Sequence, residues 1–224
     1  MVEALRNPKR KIRKFLSTEN ALRRLKEEDV PLRVTPDFVR PGDIDRLLTP
    51  DAVHQGLYME VEPLAGPEIE TLPDNGLVLV LDQITDPHNV GAIVRTAAAF
   101  AVDAIVTTNR HSPAATGVLA KSASGGLEHV PFITVRNLAE GLEELKMRGY
   151  LCVGLDSDAP ENLDGIVAPR PLALVMGAEG KGLRQKTRTV CDVLARMDMP
   201  GAIRSLNVSN AAAIALYAVT RAAK

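Results

Sequence analysis

Apolar and polar positions along the chain follow two different rhythms, and the change falls near residue 65. Ahead of it, Glu19 to Glu28 has helical spacing, Pro31 to Val34 reads as a short strand-like piece, and Gln55 to Val61 reads as an apolar strand. From Glu62 to Asn75 the chain passes Pro63, Gly66, Pro67, Pro73 and Asp74 with little periodicity, which is the composition of a linker. Beyond it, strand-like and helix-like stretches alternate. Leu77 to Leu81 is an unbroken apolar run, too short for a buried helix and suited to a strand covered on both faces. Val90 to Phe100 is an Ala-rich helix, Ala104 to Thr107 a strand, Ala114 to Ser124 a helix and Val130 to Val135 a strand. Asn137 can cap the next helix, with Glu140 as its capping-box partner and Gly149 as the stop. Tyr150 to Leu155 and Leu172 to Met176 are strands, Lys181 to Cys191 is helical, Val193 to Met197 is extended, and Val208 to Ala223 is a long helix. Strands separated by helices predict an α/β fold, with a mostly parallel sheet and helices on both faces. The expected division is a small domain over 1–63, a linker over 64–75 and a larger domain over 76–224.

Composition narrows the class without naming a function. A hydrophobic share of 46% and a charged share of 25% are those of an ordinary globular protein, which excludes a largely disordered chain. No apolar run is long enough to cross a bilayer, and basic Met1 to Leu16 lacks the apolar stretch of a secretory signal. Cys152 and Cys191 stand far apart, outside any CxxC pattern, and read as thiols in a reducing compartment. A cytoplasmic protein that does not engage a membrane is expected. His54, His88, His111 and His129 are scattered without metal-ligand spacing, so no metal is expected. Net charge is −1, yet Arg6, Lys9, Arg10, Lys11, Arg13 and Lys14 cluster, followed by Arg23, Arg24, Lys26 and Arg33. Such a cluster can meet phosphates; on charge alone a solvated helix face at the edge of a domain is the favoured explanation.

Three segments fall where parallel sheets bind ligands, beyond the carboxyl ends of strands. In "LDQITDPHNVGAIVR", Asp86-Pro87 turns the chain, Asn89 lies near a helix start and Arg95 follows on that helix. In "LVMGAEGKGL", Gly177, Gly180 and Gly182 follow a strand, with Glu179 among them. This turn is neither a P-loop nor a dinucleotide fingerprint: Lys181 is followed by Gly182 instead of Ser or Thr, and the glycine order is GxxGxG. In "MDMPGAIRSLNVSNAAAIAL", Ser205, Asn207 and Ser209 interleave with Leu206 and Val208 before the last helix, which Ser205 or Asn207 can cap. Each segment alone has an ordinary structural explanation.

Taken in order, these segments resemble the SPOUT superfamily, within it the tRNA/rRNA ribose 2′-O-methyltransferase family, over roughly Leu77 to Ala223. "AVHQG", Ala52 to Gly56, looks like the end of the small ribosomal-protein-like domain that precedes the catalytic domain in this family. The resemblance is nearest to the bacterial branch that methylates a guanosine ribose in 23S rRNA. It implies a small, short-fronted α/β RNA substrate-binding domain and a SPOUT methyltransferase domain with a C-terminal trefoil knot. It implies S-adenosylmethionine as methyl donor, with Gly177, Met197, Met199, Ser205, Leu206 and Asn207 around it. It also implies catalysis by Arg95, Asn89, Glu179, Ser205 and Asn207, and a homodimer in which Arg95 of one subunit approaches the donor held by the other. Ala212, Ile214, Leu216 and Val219 of the last helix can form the dimer face or the core.

The resemblance assigns the proton step to Arg95. A guanidinium stays protonated at ordinary pH, however, so Arg95 is expected mainly to bind an RNA phosphate and stabilise the developing alkoxide. That phosphate or a neutralised Arg95 is the base if one is needed. Asn89 is expected to position Arg95 or the ribose, Glu179 to orient the group by charge-assisted hydrogen bonds, and Asn207 to close the turn around the donor. This chain departs from the family in reading Met197-Asp198-Met199-Pro200 where an isoleucine-proline-methionine stretch is usual. The glycine-histidine segment expected before Val2 is missing as well. Two other readings stand beside the main one: a tRNA ribose 2′-O-methyltransferase, and a non-catalytic RNA-binding or ribosome-assembly protein that kept the fold.

Overall fold

The computed structural model describes residues 1–49, 52–110, 116–166, 170–203 and 205–222. They form two compact units, Met1–Leu64 and Ala65–Lys224.

The first unit contains α1 (Val2–Arg6), β1 (Ile12–Ser17), α2 (Glu19–Glu27), β2 (Asp37–Phe38), α3 (Pro41–Asp45) and β3 (Leu57–Val61). Its sheet runs β2-β1-β3, parallel between β1 and β2 and antiparallel between β1 and β3. Thr18 caps α2 through its hydroxyl, and α2 lays Leu25 onto Leu5, Phe15 and Val30 to make the core. The piece expected as a strand, Pro31 to Val34, is not one: Leu32 and Val34 pack against that core from irregular backbone. The central strand is β1, which finds partners on both sides and carries buried Phe15 and Leu16 amid its basic residues. Several of those cations hold the fold together. Arg10 is only 8% exposed and donates to the Glu62 carbonyl at 2.7 Å, Arg24 donates to the Gln55 carbonyl at 2.6 Å, and Arg33 to the Leu5 carbonyl at 3.1 Å. His54 is structural as well: its Nδ1 accepts from the Gly56 amide at 2.9 Å and its Nε2 meets Asp45 at 3.1 Å.

The second unit contains β4 (Leu77–Asp82), α4 (Pro87–Ala99), β5 (Ala104–Thr108), α5 (Gly117–Ala123), β6 (Phe132–Val135), α6 (Leu138–Met147) and β7 (Leu151–Leu155). Then follow β8 (Glu161–Asn162), β9 (Leu172–Gly177), α7 (Gln185–Val190), β10 (Val193–Arg196) and α8 (Val208–Ala222). Seven strands pair in the order β6-β5-β4-β9-β7-β10-β8, every pairing parallel. β4 is buried along its whole length because it faces two cores. Leu77, Leu79 and Leu81 meet the layer containing α4 and α8, while Val78 and Val80 meet the α6 layer. Gly149, at φ +84°, ends α6 as expected.

Some elements differ from expectation. Ala114, Ala115, His111 and Ala223 lie outside the described residues, and α5 begins at Gly117 behind the Thr116 cap. The helix expected from Lys181 starts only at Gln185, since Gly182 at φ +62° keeps the preceding residues in a turn. In segment 64–75, Ile69 and Leu72 are buried in the α6-side core. On α8, Ala212, Leu216 and Val219 are core, whereas Ile214 and Tyr217 are half exposed on another face.

Burial raises both thiols, Cys152 and Cys191, to a pKa of about 12, with Asp192 adding to the effect. The folded state therefore retains protons that an unfolded thiol gives up near pH 9. The stabilisation is complete below about pH 9 and is lost as pH rises towards about 12. Two results are expected: slow reaction of the native protein with Ellman's reagent at pH 8 against immediate reaction in guanidinium, and a melting temperature that falls between pH 9 and 12. Fast native labelling would show the thiols to be accessible thiolates.

Candidate active site at the carboxyl end of the sheet

The segment after β4 turns at Asp86, whose carboxylate accepts from the Asn89 amide at 2.8 Å while Pro87 opens α4. That cap places the Asn89 side chain on the first turn of the helix. Gly91 serves packing: a Cβ there would stand 2.5 Å from the Ser122 Cβ of α5. His88 also faces α5, its Nδ1 lying 3.3 Å from the Ser122 hydroxyl. Arg95 is exposed on α4 and has no hydrogen-bond or ion-pair partner among the described residues.

β9 runs into a tight turn in which the Gly182 amide donates to the Ala178 carbonyl at 2.8 Å. Gly180 (φ +72°) and Gly182 (φ +62°) supply conformations that other residues resist. A polar pair with no forerunner in the sequence reading locks the far end of this turn. Asp82 closes β4, is 0% exposed, and accepts from the Arg184 amide at 2.9 Å and its Nε at 2.6 Å. The one available signal was an acid closing an otherwise wholly apolar strand.

The third segment leaves β10 and ends at α8. Asn207 caps that helix, its Oδ1 accepting from the Ser209 amide at 2.9 Å and the Ser209 hydroxyl at 2.6 Å. Its Nδ2 donates to Asn89 Oδ1 at 2.9 Å. Glu179, from the glycine turn, accepts from the Val208 amide at 3.1 Å. A carboxylate at the amino end of a 15-residue helix is favoured by the helix dipole as well as by the hydrogen bond. The three segments thus meet at the start of α8, within one unit and at one end of its sheet.

Residues 76–217 match the SpoU rRNA Methylase family. The chain belongs to that family. It is 44% identical over 188 residues to a 23S rRNA (guanosine-2′-O-)-methyltransferase, RlmB, of Nitrosomonas europaea, covering 79% of this chain and 71% of the relative. RlmB of Pseudomonas aeruginosa is 40% identical over 178 residues, covering 76% and 72%. Among solved structures, the SpoU methyltransferase AviRb from Streptomyces viridochromogenes, in complex with the cofactor AdoMet, superposes with a TM-score of 0.81 at 23% identity, covering 98% of this chain and 85% of that one.

In this SpoU family member, Asn89, Glu179 and Asn207 are joined through the start of α8, but neither Asn89 nor Glu179 holds Arg95. Asn89 meets Asn207 instead. Gly177 begins the glycine turn, Met197 and Met199 are half-buried, and Ser205 and Leu206 are exposed just before α8. Asp198, the acid in the family's proline stretch, fastens the loop. It accepts from Arg196 Nε at 2.8 Å and from Asn162 Nδ2, while Arg196 Nη1 donates to the Ala159 carbonyl at 3.0 Å. The edge strand β8 is thereby tied to the β10 exit. Among the described residues, no three His, Cys, Asp or Glu side chains are grouped to hold a metal, and no helix is long and apolar enough to cross a membrane.

Proposed function

We propose that this protein methylates the 2′-hydroxyl of a guanosine in 23S rRNA, with S-adenosylmethionine as donor, and that it acts in the cytoplasm as a homodimer. The observation that carries the reading is the junction at α8, where Asn89, Glu179 and Asn207 bring the three motif segments into one hydrogen-bonded group. The RlmB relatives, named for this reaction, support the substrate.

The residues present fit the donor. The glycine turn offers backbone with little side chain, and Met197, Met199 and Leu206 offer half-exposed apolar surface on the loop that follows. This combination suits a nucleoside thioether contacted largely through main-chain groups. When bound, the donor supplies a methyl carbon on a sulfonium, so the reaction breaks that C–S bond and forms a C–O bond to the ribose. The chain's own part is to align the hydroxyl and accommodate its loss of a proton. Arg95 stabilises the developing alkoxide and binds the adjoining phosphate, which can take the proton. Asn89 orients the ribose while sharing its amide oxygen with Asn207. Glu179 holds the glycine turn to α8, Asn207 ties the Asn89 segment to the same helix start, and Ser205, exposed two residues before Asn207, would contact the donor.

Residues 1–63 are assigned to RNA binding, 64–75 to a linker, and 76–224 to a knotted SPOUT methyltransferase domain. The half-exposed Ile214 and Tyr217 of α8 support a dimer face that would bring Arg95 of one subunit to the donor site of the other.

Isothermal titration with S-adenosylmethionine tests the reading, with Leu206→Arg as the blocked control. Saturable binding lost in the control is expected, followed by a new 2′-O-methylguanosine when 23S rRNA is incubated with the enzyme and donor. Absence of donor binding with and without rRNA would favour the non-catalytic RNA-binding reading. Methylation of tRNA in place of 23S rRNA would move the substrate and leave the chemistry.

A further inference from the structure

On the other side of β4 from the glycine turn, at the same end of the sheet, lies a cavity of about 610 Å³. Its wall combines Thr108 at the end of β5, Arg110 just beyond it, Arg136 at the end of β6, Asn137 and Glu140 at the start of α6, and Arg184. Three guanidinium groups thus face one carboxylate. That carboxylate is itself engaged, since Glu140 accepts from Asn137 Nδ2 at 2.9 Å. Arg110 and Arg136 have no ion-pair or hydrogen-bond partner among the described residues. Arg184 is held in place through its amide and Nε by buried Asp82, and its terminal nitrogens have no partner among the described residues.

Asp82 and Glu140 offset two of the three cations, so the concavity keeps a net positive charge, and planar guanidinium groups pair with phosphate oxygens in forked geometry. The place matters as much as the charge. Asp82, which anchors Arg184, is in register with Gly177, where the glycine turn begins. β5 and β6 stand two and three strands from β9, which at ordinary strand spacing is about 10–14 Å. An RNA strand covers that distance within a few nucleotides.

We propose that Arg110, Arg136 and Arg184 form a subsite for backbone phosphates of the RNA strand beside the methylated nucleotide. The proposal rests on RNA being the substrate. The subsite positions the strand without reading bases, because phosphate contacts fix register and carry no sequence information.

The test is filter binding of the full-length protein to a 23S rRNA transcript over a range of KCl concentrations. Wild type is compared with Arg110→Ala/Arg136→Ala and with Glu140→Gln. The double substitution is at exposed positions, and glutamine keeps the acceptor that Asn137 uses. The double variant is expected to bind at least about tenfold more weakly, with the log–log salt slope reduced by about 1.4, or 0.7 for each lost phosphate contact. Glu140→Gln is expected to bind more tightly. A double variant with wild-type affinity and slope overturns the subsite. So does an equally large loss of S-adenosylmethionine affinity in that variant, which would place the arginines at the donor. Donor titration of the wild type separates the two readings: a protein that binds no donor fails as a methyltransferase, while the salt slope still decides the subsite.

Discussion

Arg95→Ala is expected to slow methyl transfer by about 10²–10³-fold, the usual cost of removing one group aimed at developing negative charge. The fold should barely notice. Arg95 is exposed and unpartnered among the described residues, and surface substitutions of that kind stay within about 0.5 kcal/mol. Donor affinity should also hold, because the glycine turn and the loop before α8 are fastened by other residues. Single-turnover transfer from radiolabelled donor measures the rate, and a near-wild-type rate would remove Arg95 from the chemistry. Co-expression with the donor-blocked Leu206→Arg chain extends the test to the dimer. If Arg95 acts across subunits, a mixed dimer of two inactive chains regains one complete site, and activity that neither parent has should return.

The second large effect is expected at Gly177. A Cβ there would lie 2.1 Å from the Gly182 carbonyl carbon, 2.3 Å from its oxygen and 2.4 Å from the Leu183 nitrogen. All three are backbone atoms, so no side chain can swing aside. Gly177→Ala must open the turn and stretch the Gly182–Ala178 hydrogen bond, straining buried Leu183 and the Arg184–Asp82 pair behind it. Such overpacking costs about 1–3 kcal/mol. A displacement of about 1 Å at a positioning element can cost on the order of 10²-fold, so donor affinity should fall by at least that much. Gly180→Ala is the contrasting variant. It has open space around the new methyl group and meets only the strain of φ +72°, about 1–2 kcal/mol, so its donor affinity should fall much less. Equal losses at the two positions would mean that the turn is not held closed by the contact at Gly177.

What could be read from the sequence follows from how local each signal is. β4 and β9 are legible because a strand covered on both faces must be apolar throughout, and Leu77–Leu81 and Leu172–Met176 are. β1 escaped notice because Arg13 and Lys14 interrupt its apolar residues and drew it into the basic cluster. Arg10 belongs to that cluster, yet its guanidinium donates to the Glu62 carbonyl, a role that charge spacing alone does not reveal. Asn89, Glu179 and Asn207 could be picked out as three separate segments, but their mutual contacts could not. Nor could spacing reveal the Asp82–Arg184 pair, whose members read as a strand end and a helix residue. The cavity at α6 was hidden for the same reason: Arg110 and Arg136 belong to different strand ends, and only the parallel pairing of β5 with β6 makes them neighbours.

The bonds that assemble the site span long stretches of chain, 118 residues between Asn89 and Asn207 and 102 between Asp82 and Arg184. A ribosome adds roughly 5–20 residues per second, so Asn207 is made about 6–24 s after Asn89. Through that interval the growing chain already displays Arg95 but has no α8 against which Glu179 can close the glycine turn. Under the proposed function, a half-made enzyme cannot modify RNA in the ribosome that is synthesising it. Competence arrives only with the last helix, and a chain stalled or cut before Asn207 is inert however well its earlier strands have paired.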